Sequence, residues 1–132
     1  MPSLEFPDNP GIPDAEVLYR RVWSGLWVWS ESRPQSGAFD DSSDQSPMSV
    51  AIESLLTVAS MVPRDLLTGW PAFGLVSFTA GLARDLGLRV TEAPPVAGEP
   101  AHGWVAGKKT RGIMKRLAKT CTVVIPPPPL VY

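Results

Sequence analysis

Apolar and polar positions alternate with a period of two across residues 16–23, EVLYRRVW. Val17, Tyr19, Arg21 and Trp23 fall on one side of an extended chain, and Leu18, Arg20 and Val22 on the other. That pattern predicts a strand, and Ser24-Gly25 offers a two-residue turn into Leu26-Trp27-Val28-Trp29, so a hairpin is expected. Over residues 50–59 the period lengthens: Ile52, Leu55, Leu56 and Ala59 make one helical stripe. Pro63 closes that helix and starts a short helical turn over 64–68, ended by Gly69. Residues 73–78 fit a strand, with Thr79 capping a helix over 80–86. A single helix over 75–86 would align Leu75, Phe78, Leu82 and Leu86 as well; Val76, Phe78 and Thr79 start helices poorly, which favours the strand. Gly87 suits the position after a helix, and 88–91 reads as a strand.

Residues 100–126 form the most organised stretch. A short apolar strand over 101–107 holds His102, the only histidine. Thr110 is the expected N-cap of the next helix. Winding the following residues at about 100° per step separates two faces. Lys108, Lys109, Arg111, Lys115, Arg116 and Lys119 share one arc, and Ile113, Met114, Leu117, Ala118 and Cys121 fill the other. Thr122-Val123-Val124-Ile125 is β-branched and uncharged, predicting a buried strand that Pro126 stops. Strand, helix and strand in about 25 residues is the size of a compact crossover unit.

These elements define an α+β domain: a mixed sheet of about five strands packed by two to three helices, with proline-rich extended termini. The 132 residues suffice for one core. The division expected is an N-terminal arm over 1–15, the domain over 16–125 and a tail over 126–132. Residues 30–47, with Asp40, Asp41 and Asp44, predict a long polar loop, and PPPP in the tail favours polyproline II. No signal-peptide pattern and no apolar run of about 18 residues is present, which makes the cytoplasm the expected location. One cysteine excludes an intramolecular disulfide and a cysteine-based zinc site. Net charge is −1, yet all thirteen acidic residues precede residue 100 while half of the twelve basic ones follow it. The near-neutral total conceals a strong charge asymmetry.

Arg33-Pro34-Gln35-Ser36-Gly37-Ala38-Phe39, Ser49-Val50, Gly87-Leu88-Arg89-Val90, Pro100-Ala101-His102, Val105 and Gly107-Lys108-Lys109-Thr110 together resemble small hypothetical bacterial proteins of GC-rich genomes. The similarity spans roughly residues 18–125. No activity is established for those proteins, so the resemblance implies no catalytic residue. It implies only that the Arg33 loop and the His102 region belong together.

Gly-Lys-Lys-Thr is not a phosphate loop: three residues lie between Gly103 and Gly107 where the signature needs four, and Lys109 stands where the hydroxyl should be. What remains is a helix start beside Lys108, Lys109, Thr110 and Arg111, which favours an anion. A basic face on an amphipathic helix is equally a solvated face, but this one carries no acid, and a merely solubilising face mixes signs. His102 is the only side chain whose ordinary range suits acid–base work at neutral pH. As a structural residue it would be hydrogen-bonded; as a catalytic one its companions would be Arg33 and Ser36, with Arg20 or Arg21 from the first strand. Arginines beside a histidine suit a phosphate-bearing, nucleotide-type substrate. Asp40, Asp41 and Asp44 follow no cation-loop template, and no metal or cofactor is expected. Cys121, on the apolar arc, reads as core.

Three functions fit. The one favoured is a non-enzymatic binding or accessory module whose basic helix contacts an anionic partner, nucleic acid or acidic protein. The second is a small enzyme built on His102, Arg33 and Ser36. The third is a homo-oligomer in which the acidic body of one copy meets the basic face of another. For nucleic acid, the near-neutral pI and the lack of aromatics on the helix argue against a dedicated binder.

Overall fold

The alternation in 16–23 produces the longest-range pairing in the molecule. Strand β1, Val17–Trp23, pairs antiparallel with β5, Phe73–Thr79, along its whole length, and with β4, Met48–Ile52, on its other side. The computed structural model describes residues 6–41, 46–94 and 99–129. Among them lies a six-stranded sheet in the order β6-β7-β4-β1-β5-β8, where β6 is Arg89–Glu92, β7 is His102–Ala106 and β8 is Thr122–Ile125. Three helices accompany it: α1, Glu53–Val58; α2, Ala80–Asp85; and α3, Arg111–Thr120. The class is α+β, with one strand more than expected, and every pairing is antiparallel, so the sheet is not mixed.

The sheet has two unlike faces. On one, Leu18, Val22, Val50, Ile52, Val76, Phe78, Val90 and Val105 pack against Ala80 and Ala83 of α2 and Leu117 and Ala118 of α3. Both helices start where the sequence places them. Thr79 Oγ1 accepts from the Leu82 amide at 3.1 Å and Thr110 Oγ1 from the Ile113 amide at 3.2 Å, each satisfying one orphan donor of a first turn. Gly87 ends α2 with φ +83°, and the Leu88 amide reaches back to the Ala83 carbonyl at 3.0 Å. On the other face Tyr19 and Leu75 meet Leu56 of α1 and Leu66 of a 3₁₀ turn, Pro63–Leu67.

Several expectations are corrected. Residues 26–29 do not fold back on β1. Ser24–Leu26 is a 3₁₀ turn, and β2, Trp27–Val28, pairs with β3, Arg33–Pro34, in a separate ribbon. The expected loop over 30–47 therefore contains a strand and a second 3₁₀ turn, Ser36–Phe39, that buries Ala38 and Phe39. The first part of the helix expected over 50–59 is strand: Met48, Val50 and Ile52 are buried in alternation, and helix begins only at Glu53. The stripe Ile52, Leu55, Leu56, Ala59 arose because a strand ends where a helix starts. β7, α3 and β8 are not a compact crossover, since β4, β1 and β5 lie between the two strands. β8 is also not buried; it is an edge strand, with Val123 and Val124 each 38% exposed. Trp27 is core, whereas Trp23 and Trp29 are exposed.

Both described ends lie along the sheet. Asp8 and Asn9 flank β6: the Asn9 amide donates to the Val90 carbonyl at 2.8 Å, and the Val90 amide to Asp8 Oδ1 at 2.9 Å. Arg84 clasps Asp8 at 3.0 Å and Asp14 at 2.6 Å, and Ile12 is buried in the core. The arm thus covers a sheet edge that would otherwise offer free amides. In the tail, Ser24 Oγ lies 2.7 Å from the Pro128 carbonyl and Pro127 is buried; residues 130–132 lie outside the described residues.

Gly103 positions β7. A Cβ there would stand 2.7 Å from Ile52 Cδ1 and 3.2 Å from the Thr91 carbonyl oxygen. Gly103→Ala is expected to destabilise the protein by about 1–3 kcal/mol through overpacking. Ile52→Val, which removes the Cδ1 methyl, should return part of that loss in the double variant when both are compared by urea denaturation. An additive double variant would show that the close approach is not the cause.

Candidate functional site

Alternation along β4 and β7 decides which side chains face away from the core. Met48, Val50 and Ile52 enter the core, leaving Ser49 and Ala51 on the other face; Gly103 and Val105 do likewise, leaving His102 and Trp104. The register puts Ala51 opposite His102 and Ser49 opposite Trp104. Ser49 and His102 are then diagonal neighbours, and Ser49 Oγ lies 2.8 Å from His102 Nε2. The second ring nitrogen, Nδ1, is buried without a hydrogen-bond partner among the described residues. Trp104 meets the imidazole edge-on at 5.8 Å.

His102 and Ser49 line a cavity of about 280 Å³. Leu56, Met61, Leu66, Trp70, Phe73 and Leu75 supply its apolar wall. Arg21, the β1 residue beside Tyr19 on this strand, lies over the Trp70 ring at 4.3 Å from the centroid. Its Nε donates to the Leu66 carbonyl at 2.6 Å and its Nη1 to Glu99 at 2.7 Å. Arg21 is therefore already paired. Tyr19 Oη donates to Glu53 Oε1 at 3.0 Å; burial, aided by that bond and the nearby charge, pushes the phenol up to about 12.

Arg20 takes the opposite direction. Its Nε donates to the Ala38 carbonyl, Nη1 to Ser49 O at 2.8 Å and Nη2 to Asp40 O. Burial pushes this guanidinium down to about 10, with the charges of Asp41 and Asp40 resisting. It ties the loop ahead of β4 to that strand, and each of its three nitrogens donates to a carbonyl.

The structure does not bring His102, Arg33 and Ser36 together. Arg33 sits on β3 paired with Glu31 at 3.1 Å, and with Gln35 and Ser36 it forms one side of an open groove whose other side is Lys115 and Lys119 of α3. That groove belongs to the helix-covered side of the sheet, and His102 to the other. Of the proposed companions Arg20 and Arg21 are in the lining of the His102 cavity, and Arg33 and Ser36 are not. Residues missed by sequence reading are Ser49, Glu99, Trp70 and the Tyr19–Glu53 pair. Ser49 was within reach, because 48–52 alternates apolar and small polar residues as a strand does.

On α3 and just ahead of its cap, where Lys108 and Lys109 lie and not on the helix as expected, the basic residues separate into two groups. Lys109 is not available to a partner: its side chain is 1% exposed, and Nζ donates to Asp41 Oδ1 and to the Gly107 carbonyl, both at 2.8 Å. Thr110 is occupied as the cap. Lys108, Arg111, Lys115, Arg116 and Lys119 are exposed, and among the described residues none of them has a carboxylate within 4.0 Å. Cys121 is half-buried and burial pushes its thiol up to about 11, so it is inert at neutral pH. Asp44 lies outside the described residues, while Asp40 and Asp41 bond to the Asp41 and Met48 amides. No protein family, curated protein or solved structure was found to match this chain.

The Lys109–Asp41 pair is asymmetric, since the lysine is buried and the aspartate is 40% exposed. Asp41→Ala strands a buried cation and the Met48 amide, and is expected to cost about 2–3 kcal/mol. Lys109→Met keeps the buried stem and lets Asp41 hydrate, so it should cost less than about 1 kcal/mol. Equal losses in denaturant titrations would refute this asymmetry.

The raised Tyr19 phenol favours the fold in its neutral form. That contribution is intact below its ordinary value of 10.0 and is lost as pH rises toward about 12. Tyr19→Phe should flatten the decline in stability across this window. Arg20, lowered toward about 10, acts in the opposite sense in both proteins and cancels in the comparison. Parallel stability–pH curves would remove Tyr19 as the cause.

Proposed function

We propose that this protein is a binding module that docks the outer face of α3 on an acidic segment of another protein. The observation that carries the reading is the row of Lys108, Arg111, Lys115, Arg116 and Lys119, exposed and unmatched by carboxylates among the described residues. The groove beside it supports the same reading. Lys115 and Lys119 face Arg33, Gln35 and Ser36 across it, so an incoming carboxylate would find two ammonium groups and several neutral donors. Glu31 already occupies Arg33 and would be displaced or left as a rim contact.

An acidic protein fits better than nucleic acid. The rest of the chain holds every acidic residue, which repels a long polyanion approaching from any side but this one. α3 is ten residues long, about 15 Å, enough for a short peptide segment. Its outer face carries no aromatic residue on which bases could stack.

The test is fluorescence anisotropy with a labelled oligoglutamate peptide, and a labelled single-stranded and duplex oligonucleotide of matched charge. The peptide should bind, and raising salt from about 50 to about 200 mM should weaken it about tenfold or more, as expected for several screened contacts. Lys115→Glu with Lys119→Glu should abolish binding while leaving the melting temperature near that of the parent. Unchanged peptide binding in that variant sinks the proposal, and tighter binding of either oligonucleotide replaces the partner class. Salt-dependent self-association in light scattering, without added ligand, would instead favour contact between copies of this chain.

A further inference from the structure

We propose that the cavity on the other face of the sheet is a binding site for a small uncharged molecule with an apolar, ring-sized body and one hydroxyl group, a phenol or an equivalent alcohol. This goes beyond the α3 reading and shares no side chain with it.

Size and lining set the body of the ligand. A dry cavity of about 150 Å³ is enough for benzene, and this one, at about 280 Å³, has room for a ring with a short substituent. Its wall is largely apolar, with Trp70 and Phe73 meeting edge-on at 5.0 Å. Trp70 is also 38% exposed, so part of the wall already faces solvent.

Charge sets the head group. Two arginines are in the lining: Arg20 has its donors on the Ala38, Ser49 and Asp40 carbonyls, and Glu99 neutralises Arg21 at 2.7 Å. A ligand carboxylate or ammonium would enter without a free counter-charge and keep its desolvation cost. A neutral hydrogen-bonding group carries no such cost.

His102 specifies a hydroxyl. One ring nitrogen is engaged with Ser49, and Nδ1 is buried and, among the described residues, unpartnered. If Nε2 accepts from the serine, Nδ1 carries a proton that needs an acceptor; if Nε2 donates, Nδ1 is a lone pair that needs a donor. A hydroxyl serves either tautomer, whereas a carbonyl serves only the first. Ser49 Oγ, with one hydrogen bond made, keeps capacity for a second. An orphaned polar atom beside an apolar cavity is what a ligand of this kind would complete.

The experiment uses the full chain with 4-ethylphenol, and 4-ethyltoluene as the isostere lacking the hydroxyl. His102 is the only histidine, so its ring-nitrogen resonances are unambiguous in long-range ¹H–¹⁵N spectra. Saturable binding of 4-ethylphenol that moves the Nδ1 resonance is expected, with 4-ethyltoluene at least about tenfold weaker. Ala51→Leu, which places bulk in the lining, should abolish binding in a protein whose amide spectrum stays native-like. Absence of a saturable His102 shift, equal affinity for the two compounds, or binding that survives the filled cavity would each overturn the site. Where Ala51→Leu does not fold, the comparison of the two compounds on the parent protein decides.

Discussion

Two adjacent arginines in the central strand hold the two faces of this protein in place. Successive residues of a strand point to opposite sides, so Arg20 and Arg21 cannot serve the same layer. Arg20 reaches the backbone carbonyls of Ala38, Asp40 and Ser49. Arg21 lies on Trp70 and binds Leu66 O and Glu99. A buried guanidinium is tolerated when its fork of donors is filled. Arg20 meets that condition with carbonyls, which explains why its charge survives burial at neutral pH even though burial pushes it down to about 10. The loop ahead of β4 on one side and the cavity wall on the other are both fastened to β1.

Ionic matching inside the acidic part of the chain explains why the C-terminal helix is left basic. Arg21 takes Glu99, Arg33 takes Glu31, and Arg84 takes Asp8 and Asp14. In the basic part only Lys109 finds a carboxylate among the described residues, Asp41. The Arg84 and Arg21 pairs tie distant segments together, the arm to α2 and the residues ahead of β7 to β1, while Arg33–Glu31 is local. The unmatched cations tie nothing. Surface charges contribute little to stability individually, so folding alone gives no reason for five of one sign to share one exposed row.

Local signals were legible in the sequence and non-local ones were not. Thr79 and Thr110 as caps, Gly87 as a helix end, and the strands β1, β5, β6 and β7 each depend on a few neighbouring residues. The stretch around β4 misled because Ile52, Leu55 and Leu56 satisfy a helical period whether or not the first of them is strand. Exposure of β8 followed from its place at the sheet edge, which no property of Thr122-Val123-Val124-Ile125 announces. The cavity was hidden for the same reason. Its polar pair joins residues 49 and 102, and only the β4–β7 register makes them neighbours. Arg33 and Ser36 share a groove, and the element that faces them across it is α3 and not β7.

Ser49 connects these observations. Its carbonyl accepts from Arg20 on the core side while its hydroxyl meets His102 on the cavity side. From Arg20 the contacts continue through Asp40 and Asp41 to Lys109, just ahead of the α3 cap. The basic ridge and the cavity are therefore joined by an unbroken run of polar contacts. Contiguity alone does not couple two sites; coupling needs an element with two arrangements that each ligand biases differently. The contacts along this run include backbone carbonyls fixed by the β4 strand and the Ser36–Phe39 turn, a geometry suited to holding one arrangement. Its role is then positional: it sets where His102 stands and where α3 begins, and it leaves the two surfaces free to act independently.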